Sequence, residues 1–314
     1  MRFVTFIRKN QQRLGMLGPE EEIIDLAEIN QRYLKGGKQP FLASMQAFIE
    51  AGGKALQTAK SVAKYVAGRN PADQKKLTAA GVVLKPSQVK FQSPIPTPRK
   101  NCVMLGINYR EHVDEGARAR SLEIKYPEFP VFFTKPPTSV IGHLGKVIKH
   151  KVTDKLDWEV ELAVVIGKKG RDIPKAKAYD YVFGYTVCLD MTARELQRIH
   201  GQWFKGKSLD TLCPLGPWIV HKSALAEPQQ LRLVCRVNGN VMQDGNTRDM
   251  IFDIPTIIES LSGGMTLEPG DIISTGTPSG VGFARTPPVF LNPGDKVEGD
   301  VEGIGTLEVT IAAP

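Results

Sequence analysis

Three carboxylates between positions 156 and 190 are placed where one hard cation could sit. Leu156-Asp157-Trp158-Glu159-Val160-Glu161-Leu162 alternates apolar and acidic residues, then runs on into Ala163-Val164-Val165-Ile166. That pattern predicts a strand entering a core, with Glu159 and Glu161 on one face about 7 Å apart. A second strand-like run, Tyr181 to Leu189, ends at Asp190. Two acids on one strand face repel each other unless solvent or a cation separates them. The bland alternative is a solvated outer face.

Gly106-Ile107-Asn108-Tyr109-Arg110-Glu111-His112-Val113-Asp114-Glu115 leaves a strand and opens a helical turn. His112 and Glu115 stand three residues apart and share a face. The carboxylate could orient the imidazole and raise its basicity, as a general base requires, although the fragment alone favours a surface ion pair. Asp190-Met191-Thr192-Ala193-Arg194-Glu195-Leu196-Gln197 is expected to begin a helix. Positions 190, 194 and 197 then fall along one stripe, so Arg194 and Gln197 would flank whatever Asp190 binds. Gly201-Gln202-Trp203-Phe204-Lys205-Gly206-Lys207-Ser208 has the spacing of a phosphate-binding loop but not its context. Such a loop follows a strand and opens a helix, whereas here a helix precedes and Leu212-Cys213-Pro214 follows. What survives of that motif is Lys207, a cation in a glycine-flexed loop.

The elements that must position these groups follow from punctuation. A short hairpin is expected at the start, from Met1–Ile7 and Arg13–Leu17, then helices over 40–51 and 54–67 broken by Gly52-Gly53. Three prolines at alternate positions (Pro94, Pro96, Pro98) mark an extended connection, which places a small N-terminal α+β domain over 1–95 and a second domain over 96–314. Strands and turns dominate the second domain, with helices near 191–200 and 253–261. Glu268-Pro269-Gly270-Asp271 and Asn292-Pro293-Gly294-Asp295 suit type II turns.

Composition narrows the function classes. The net charge is +8, with 17 Lys and Arg against 7 Asp and Glu in residues 1–100 and 24 against 26 in the rest. The basic residues are scattered and aromatics are not interleaved with them, which argues for a solvated basic surface and against a nucleic-acid arm. No apolar run approaches a membrane span. Four widely spaced cysteines without a C-x-x-C pair point to free thiols in a reducing compartment. The expected location is the cytoplasm; Arg8, Lys9 and Arg13 leave an organelle address open.

In order along the chain, Gly106–Glu115, Pro130–Pro136, Asp157–Gly167, Cys188–Gln197, Gly206-Lys207-Ser208 with Cys213–Pro217, and Ser274–Gly282 resemble the fumarylacetoacetate hydrolase family. The resemblance covers about 100–314 and implies an α+β, mainly β chain: a mixed β-roll behind a variable N-terminal domain, usually homodimeric. It implies that Glu159, Glu161 and Asp190 are metal ligands, that His112 and Glu115 form a water-activating dyad on a mobile lid, and that Lys207 is a catalytic lysine. Lys135, Arg194, Gln197 and Thr277 match residues that contact substrate oxygens.

An all-oxygen ligand set suits Mg²⁺ or Mn²⁺ and disfavours structural zinc. Such an ion chelates a small-molecule 2-oxo acid and stabilises the enolate formed when a neighbouring bond breaks. With a 2,4-dioxo acid the dyad would direct water to C4 and the C3–C4 bond would break. With oxaloacetate the same enolate arises by loss of CO₂, or proton shuttling alone interconverts keto and enol; a 2-hydroxy-dienoate isomerase would use the same site. Because hydrolysis needs a water-activating dyad and decarboxylation does not, the expectation is C–C hydrolysis of an acylpyruvate-type acid, with tautomerase, decarboxylase or isomerase as alternatives.

Overall fold

Two apolar runs, Val160–Ile166 and Val182–Leu189, are buried along their whole length and pair antiparallel from Val160↔Leu189 to Ile166↔Val182. Strands covered on both faces carry continuous apolar sequence, and these two form the centre of a 12-stranded sheet. The structure is a computed structural model that describes residues 1–314. Alternation still sorts the side chains. Leu162, Val164 and Ile166 enter one core, while Ala163 and Val165 enter another that includes Phe3, Phe48 and Val62.

On one side of this centre, Ile272–Ser274 pairs with Val160–Ile166 and leads through Cys102–Gly106 to Val131–Lys135. On the other side Cys213–His221 pairs with Val182–Leu189 and accepts the N-terminal strand Arg2–Arg8 through Arg2↔Val220 and Phe3↔Ile219. A five-stranded sheet, ordered Asn240–Asn246, Arg232–Val237, Lys296–Val301, Gly305–Ala312 and Gly145–Ile148, closes the first core with Leu233, Val297 and Leu307. The architecture is mixed α+β and mainly β.

The N-terminal hairpin forms as its pattern predicts. The helix expected over 40–51 divides into a 3₁₀ turn, Pro40–Leu42, and an α-helix, Met45–Ala51, because the Ser44 hydroxyl accepts the Ala47 N–H at 3.2 Å and starts a new helix there. Helices Leu26–Arg32 and Pro71–Ala79 escape the pattern reading; the second buries only Leu77 and so shows almost no apolar stripe. Residues 1–95 share both a sheet and a core with the rest of the chain. The two Pro-Gly turns carry Gly270 and Gly294 at φ +92° and +97°, the left-handed conformation a type II turn requires. All four cysteines are free and buried, and no helix is long and apolar enough to cross a membrane.

Candidate active site

The strand expected to run unbroken through 156–162 is interrupted. Leu156–Asp157 pairs with Thr192–Ala193, the main strand starts only at Val160, and Trp158-Glu159 forms a corner between the two pairings. Asp157 builds that corner. Its carboxylate accepts the backbone N–H groups of Trp158, Gly282 and Phe283 at 2.8, 2.7 and 3.0 Å, and the Nε–H of Arg194 at 2.8 Å. The corner swings Glu159 towards Asp190, whose N–H donates to the Glu159 carbonyl at 2.8 Å. Glu161 is fixed from the neighbouring strand, its carboxylate accepting from Ser274 Oγ at 2.5 Å and the Gly276 N–H at 3.0 Å. One carboxylate oxygen each from Glu159, Glu161 and Asp190 then lie within 4.8 Å of one another, all buried.

Asp190 does not begin a helix. The chain first makes the strand pairing at Thr192–Ala193, and the helix is Arg194–Ile199 with Ala193 as its N-cap. Arg194 and Gln197 nevertheless share its inward face, with Arg194 Nη1 donating to Gln197 Oε1 at 3.2 Å. Arg194 also reaches Glu159 Oε1 at 2.7 Å, and its guanidinium stacks on Phe283. Lys207 lies in a four-residue helix, Phe204–Lys207, rather than in a free loop. Its ammonium bridges Glu159 Oε2 at 2.8 Å and Asp190 Oδ2 at 2.6 Å.

Lys135 is sealed in the protein, fully buried, and donates to the carbonyls of Met191, Lys207 and Leu212 at 2.9, 2.6 and 2.7 Å. Its ammonium lies 2.7 Å from Asp190 Oδ1, but its three protons are committed, so that oxygen is left without a hydrogen bond. In this structure Lys135 holds the Asp190 and Lys207 segments together and does not reach the cavity. Thr277 does line it, yet its hydroxyl donates to the Val160 carbonyl at 2.9 Å and accepts from Gln243 Nε2 at 2.7 Å.

The electrostatics follow from this packing. Burial works against ionising Glu159, but Lys207 and Arg194 hold its carboxyl well below the usual range. Glu161 lacks such a partner: burial, Asp190 and Glu159 push it well up. Burial opposes the charge on Lys207 too, but Asp190 and Glu159 raise its pKa. With all four acids ionised, Asp157, Glu159, Glu161 and Asp190 against Lys135, Lys207 and Arg194 sum to a formal charge of −1. The residues fit a divalent ion. The donor set is all carboxylate, Asp190 Oδ1 is a buried acceptor without a hydrogen bond, and the 4.8 Å spread approaches the ~4.2 Å maximum between two oxygens on one Mg²⁺. A divalent ion would also turn the cluster's charge positive.

The helix Arg110–Ala119 brings the dyad to the same place. His112 Nδ1 lies 2.8 Å from Glu115 Oε1, and Glu115 Oε2 accepts the Gly280 N–H at 2.8 Å. Gly280 has φ +104°, and a Cβ there would sit 2.1 Å from the Met242 carbonyl oxygen, so the residue fixing Glu115 must be glycine. With Nδ1 engaged, Nε2 is the free ring nitrogen. His112 shares the walls of a cavity of about 810 Å³ with Glu159, Glu161, Arg194, Gln197 and Lys207.

Several organising residues escaped the sequence reading. Asp157 was visible in the alternating run but read only as part of its pattern. Ser274 and Gly276 belong to a quoted motif without a stated task. Gln243, whose side chain accepts from the Val160 N–H and donates to Thr277, has no local signal at all.

Residues 101–312 match the family model described as the fumarylacetoacetate (FAA) hydrolase C-terminal domain. The chain is 46% identical over 309 residues, 98% of each chain, to the oxaloacetate tautomerase YisK of Bacillus subtilis. It is 44% identical over 233 residues, 74% of this chain and 72% of the other, to the human mitochondrial oxaloacetate tautomerase FAHD2A. Among solved structures, the fumarylacetoacetate hydrolase of psychrophilic Exiguobacterium antarcticum superposes with a TM-score of 0.79 at 34% identity, covering 100% of both chains. The chain belongs to the fumarylacetoacetate hydrolase family.

Proposed function

We propose that this protein interconverts the enol and keto forms of oxaloacetate, with Mg²⁺ or Mn²⁺ held by Glu159, Glu161 and Asp190. The observation that carries this reading is the identity of nearly half the residues, end to end, with an oxaloacetate tautomerase. It displaces the expectation of C–C hydrolysis, which rested on the dyad. Moving a proton between carbon and oxygen uses the same dyad and needs no water at the carbonyl.

When bound, the ion supplies Lewis-acid polarisation of the 2-oxo group. His112, oriented by Glu115, exchanges the proton at C3 through Nε2, the nitrogen left free by the 2.8 Å contact of Nδ1. Glu115 keeps its own place through the Gly280 N–H, so the imidazole is held by a fixed carboxylate. Lys207 has two contacts on Glu159 and Asp190, which leaves its third N–H for a substrate oxygen. Phe133, Trp203 and Phe283 on the cavity wall exclude water from the C3 proton.

Hydrolysis of a 2,4-dioxo acid is the second reading, supported by the likeness to a fumarylacetoacetate hydrolase structure. One pair of assays separates them. With Mg²⁺, enol-oxaloacetate absorbance should decay much faster than without enzyme, and acetylpyruvate in ¹⁸O-water should give no labelled acetate. Labelled acetate together with an unaccelerated enol decay would reverse the order of the two readings.

A further inference from the structure

The cavity holds one fixed guanidinium with nothing to bind. Arg194, which the family resemblance matches to substrate contact, is already committed: Nε to Asp157, Nη1 to Gln197 and Nη2 beside Glu159. Arg120 is different. It is exposed at the cavity mouth at the end of helix Arg110–Ala119, and its guanidinium forms neither an ion pair nor a hydrogen bond. Its guanidinium is nevertheless placed, stacked 4.7 Å from the centroid of Phe283. Arg194 stacks on the same ring at 4.5 Å, so the two guanidinium carbons are at most about 9 Å apart. Phe283 is itself anchored by its N–H to Asp157, and Gly116 packs on the ring edge, where a Cβ would stand 3.8 Å from it.

We infer that Arg120 is the specificity-determining residue that receives the remote carboxylate of a 2-oxo dicarboxylate whose 2-oxo acid end lies at the Glu159–Glu161–Asp190 cluster. This deepens the proposed function and rests on its placement of the 2-oxo acid. A remote carboxylate brought into the cavity needs a donor pair, since an unpaired buried charge is costly. A guanidinium offers two parallel N–H groups, and stacking on Phe283 leaves its in-plane donors free to meet them. Arg194 cannot serve without leaving Asp157 or Glu159. Arg198 also lines the cavity and adds positive field, but no ring or acid fixes it there. Although the side chain is exposed, partial desolvation of its guanidinium, with Arg194 and Arg198 nearby, lowers the pKa of Arg120, and an arriving carboxylate relieves that repulsion.

Pyruvate and oxaloacetate differ only in the remote carboxylate and share the 2-oxo acid end, so they isolate this contact. Calorimetric titration of the Mg²⁺-loaded protein with each should show wild type preferring oxaloacetate, and R120M losing roughly 10- to 100-fold in that preference with pyruvate affinity unchanged. R120K should fall between, because it keeps the charge without the planar fork, and R198M should stay near wild type. An unchanged oxaloacetate-to-pyruvate ratio in R120M, or its loss in R198M instead, overturns the assignment. The two readings fail separately. Loss of the ratio in R120M without any enol–keto activity in wild type refutes the reaction and keeps the subsite. Rapid enol–keto turnover with an unchanged ratio in R120M does the reverse.

Discussion

Replacing Lys207 by methionine should tighten metal binding while lowering activity. The Lys207 ammonium lies 2.8 and 2.6 Å from carboxylate oxygens of Glu159 and Asp190, two of the three residues proposed to hold the ion. With ion–oxygen distances of about 2.1 Å, an ion on Glu159 Oε2 would stand no more than about 4.9 Å from that nitrogen. A +1 and a +2 charge at that separation repel by about 1.7 kcal/mol even at the dielectric constant of water, a factor of about 20 in affinity. Methionine removes that repulsion and keeps most of the side-chain length. The metal-free protein suffers, because the cluster loses one positive charge and two buried acids lose a partner. Breaking a buried pair costs about 3–5 kcal/mol. For 314 residues, at about 2.1 cal/mol/K per residue, that is a fall in Tm of roughly 5–8 °C. Thermal unfolding in chelator and across a Mg²⁺ titration reads both effects. A lower starting Tm, a larger rise with Mg²⁺ and a lower Kd are expected, together with reduced turnover from loss of the third N–H. Weaker Mg²⁺ binding with an unaltered metal-free Tm would show that Lys207 organises the ligands rather than competing with the ion.

Glu161→Gln should behave oppositely, keeping the Ser274 and Gly276 hydrogen bonds to one oxygen but abolishing the Mg²⁺-dependent rise in Tm along with activity. In chelator, wild type should lose stability as pH climbs above the ordinary glutamate range. Burial, Asp190 and Glu159 make the native state keep a proton at Glu161 that the unfolded chain releases, so stability is full below the unfolded pKa and falls as pH rises; Glu161→Gln should remove this component of the slope. His112→Ala should lower kcat by roughly 10²–10⁴-fold with Tm near wild type, measured by enol decay and calorimetry, since the side chain's only hydrogen bond is to Glu115. Gly282→Ala should cost both stability and activity, because a Cβ would lie 2.1 Å from the Val289 carbonyl oxygen and 2.6 Å from Asp157 Oδ1, inside the clamp that orients Arg194; normal turnover in a fully folded variant would show the clamp to be dispensable.

Much of the site could be read along the chain because local periodicity carries it. The alternation at 156–162 exposed Glu159 and Glu161, the i, i+3 spacing paired His112 with Glu115, and helical spacing put Arg194 beside Gln197. The second central strand, expected over 181–189 and found at Val182–Leu189, was equally legible as a largely apolar run, whereas the first was legible only from Val160 onward. Three things had no local signature. The corner at Trp158-Glu159 exists because Asp157 finds N–H donors more than 120 residues away, at Gly282 and Phe283. Lys135 looks like any cation near a site, but three carbonyls from separate segments close around it and turn it inward. Arg120 is one of several basic residues after the dyad, and only the fold sets Phe283 beneath it. Residue type and spacing determine which groups can do chemistry. Which of them face the substrate is decided by hydrogen-bond partners that the chain supplies from a distance, because a buried charge takes whatever orientation satisfies it.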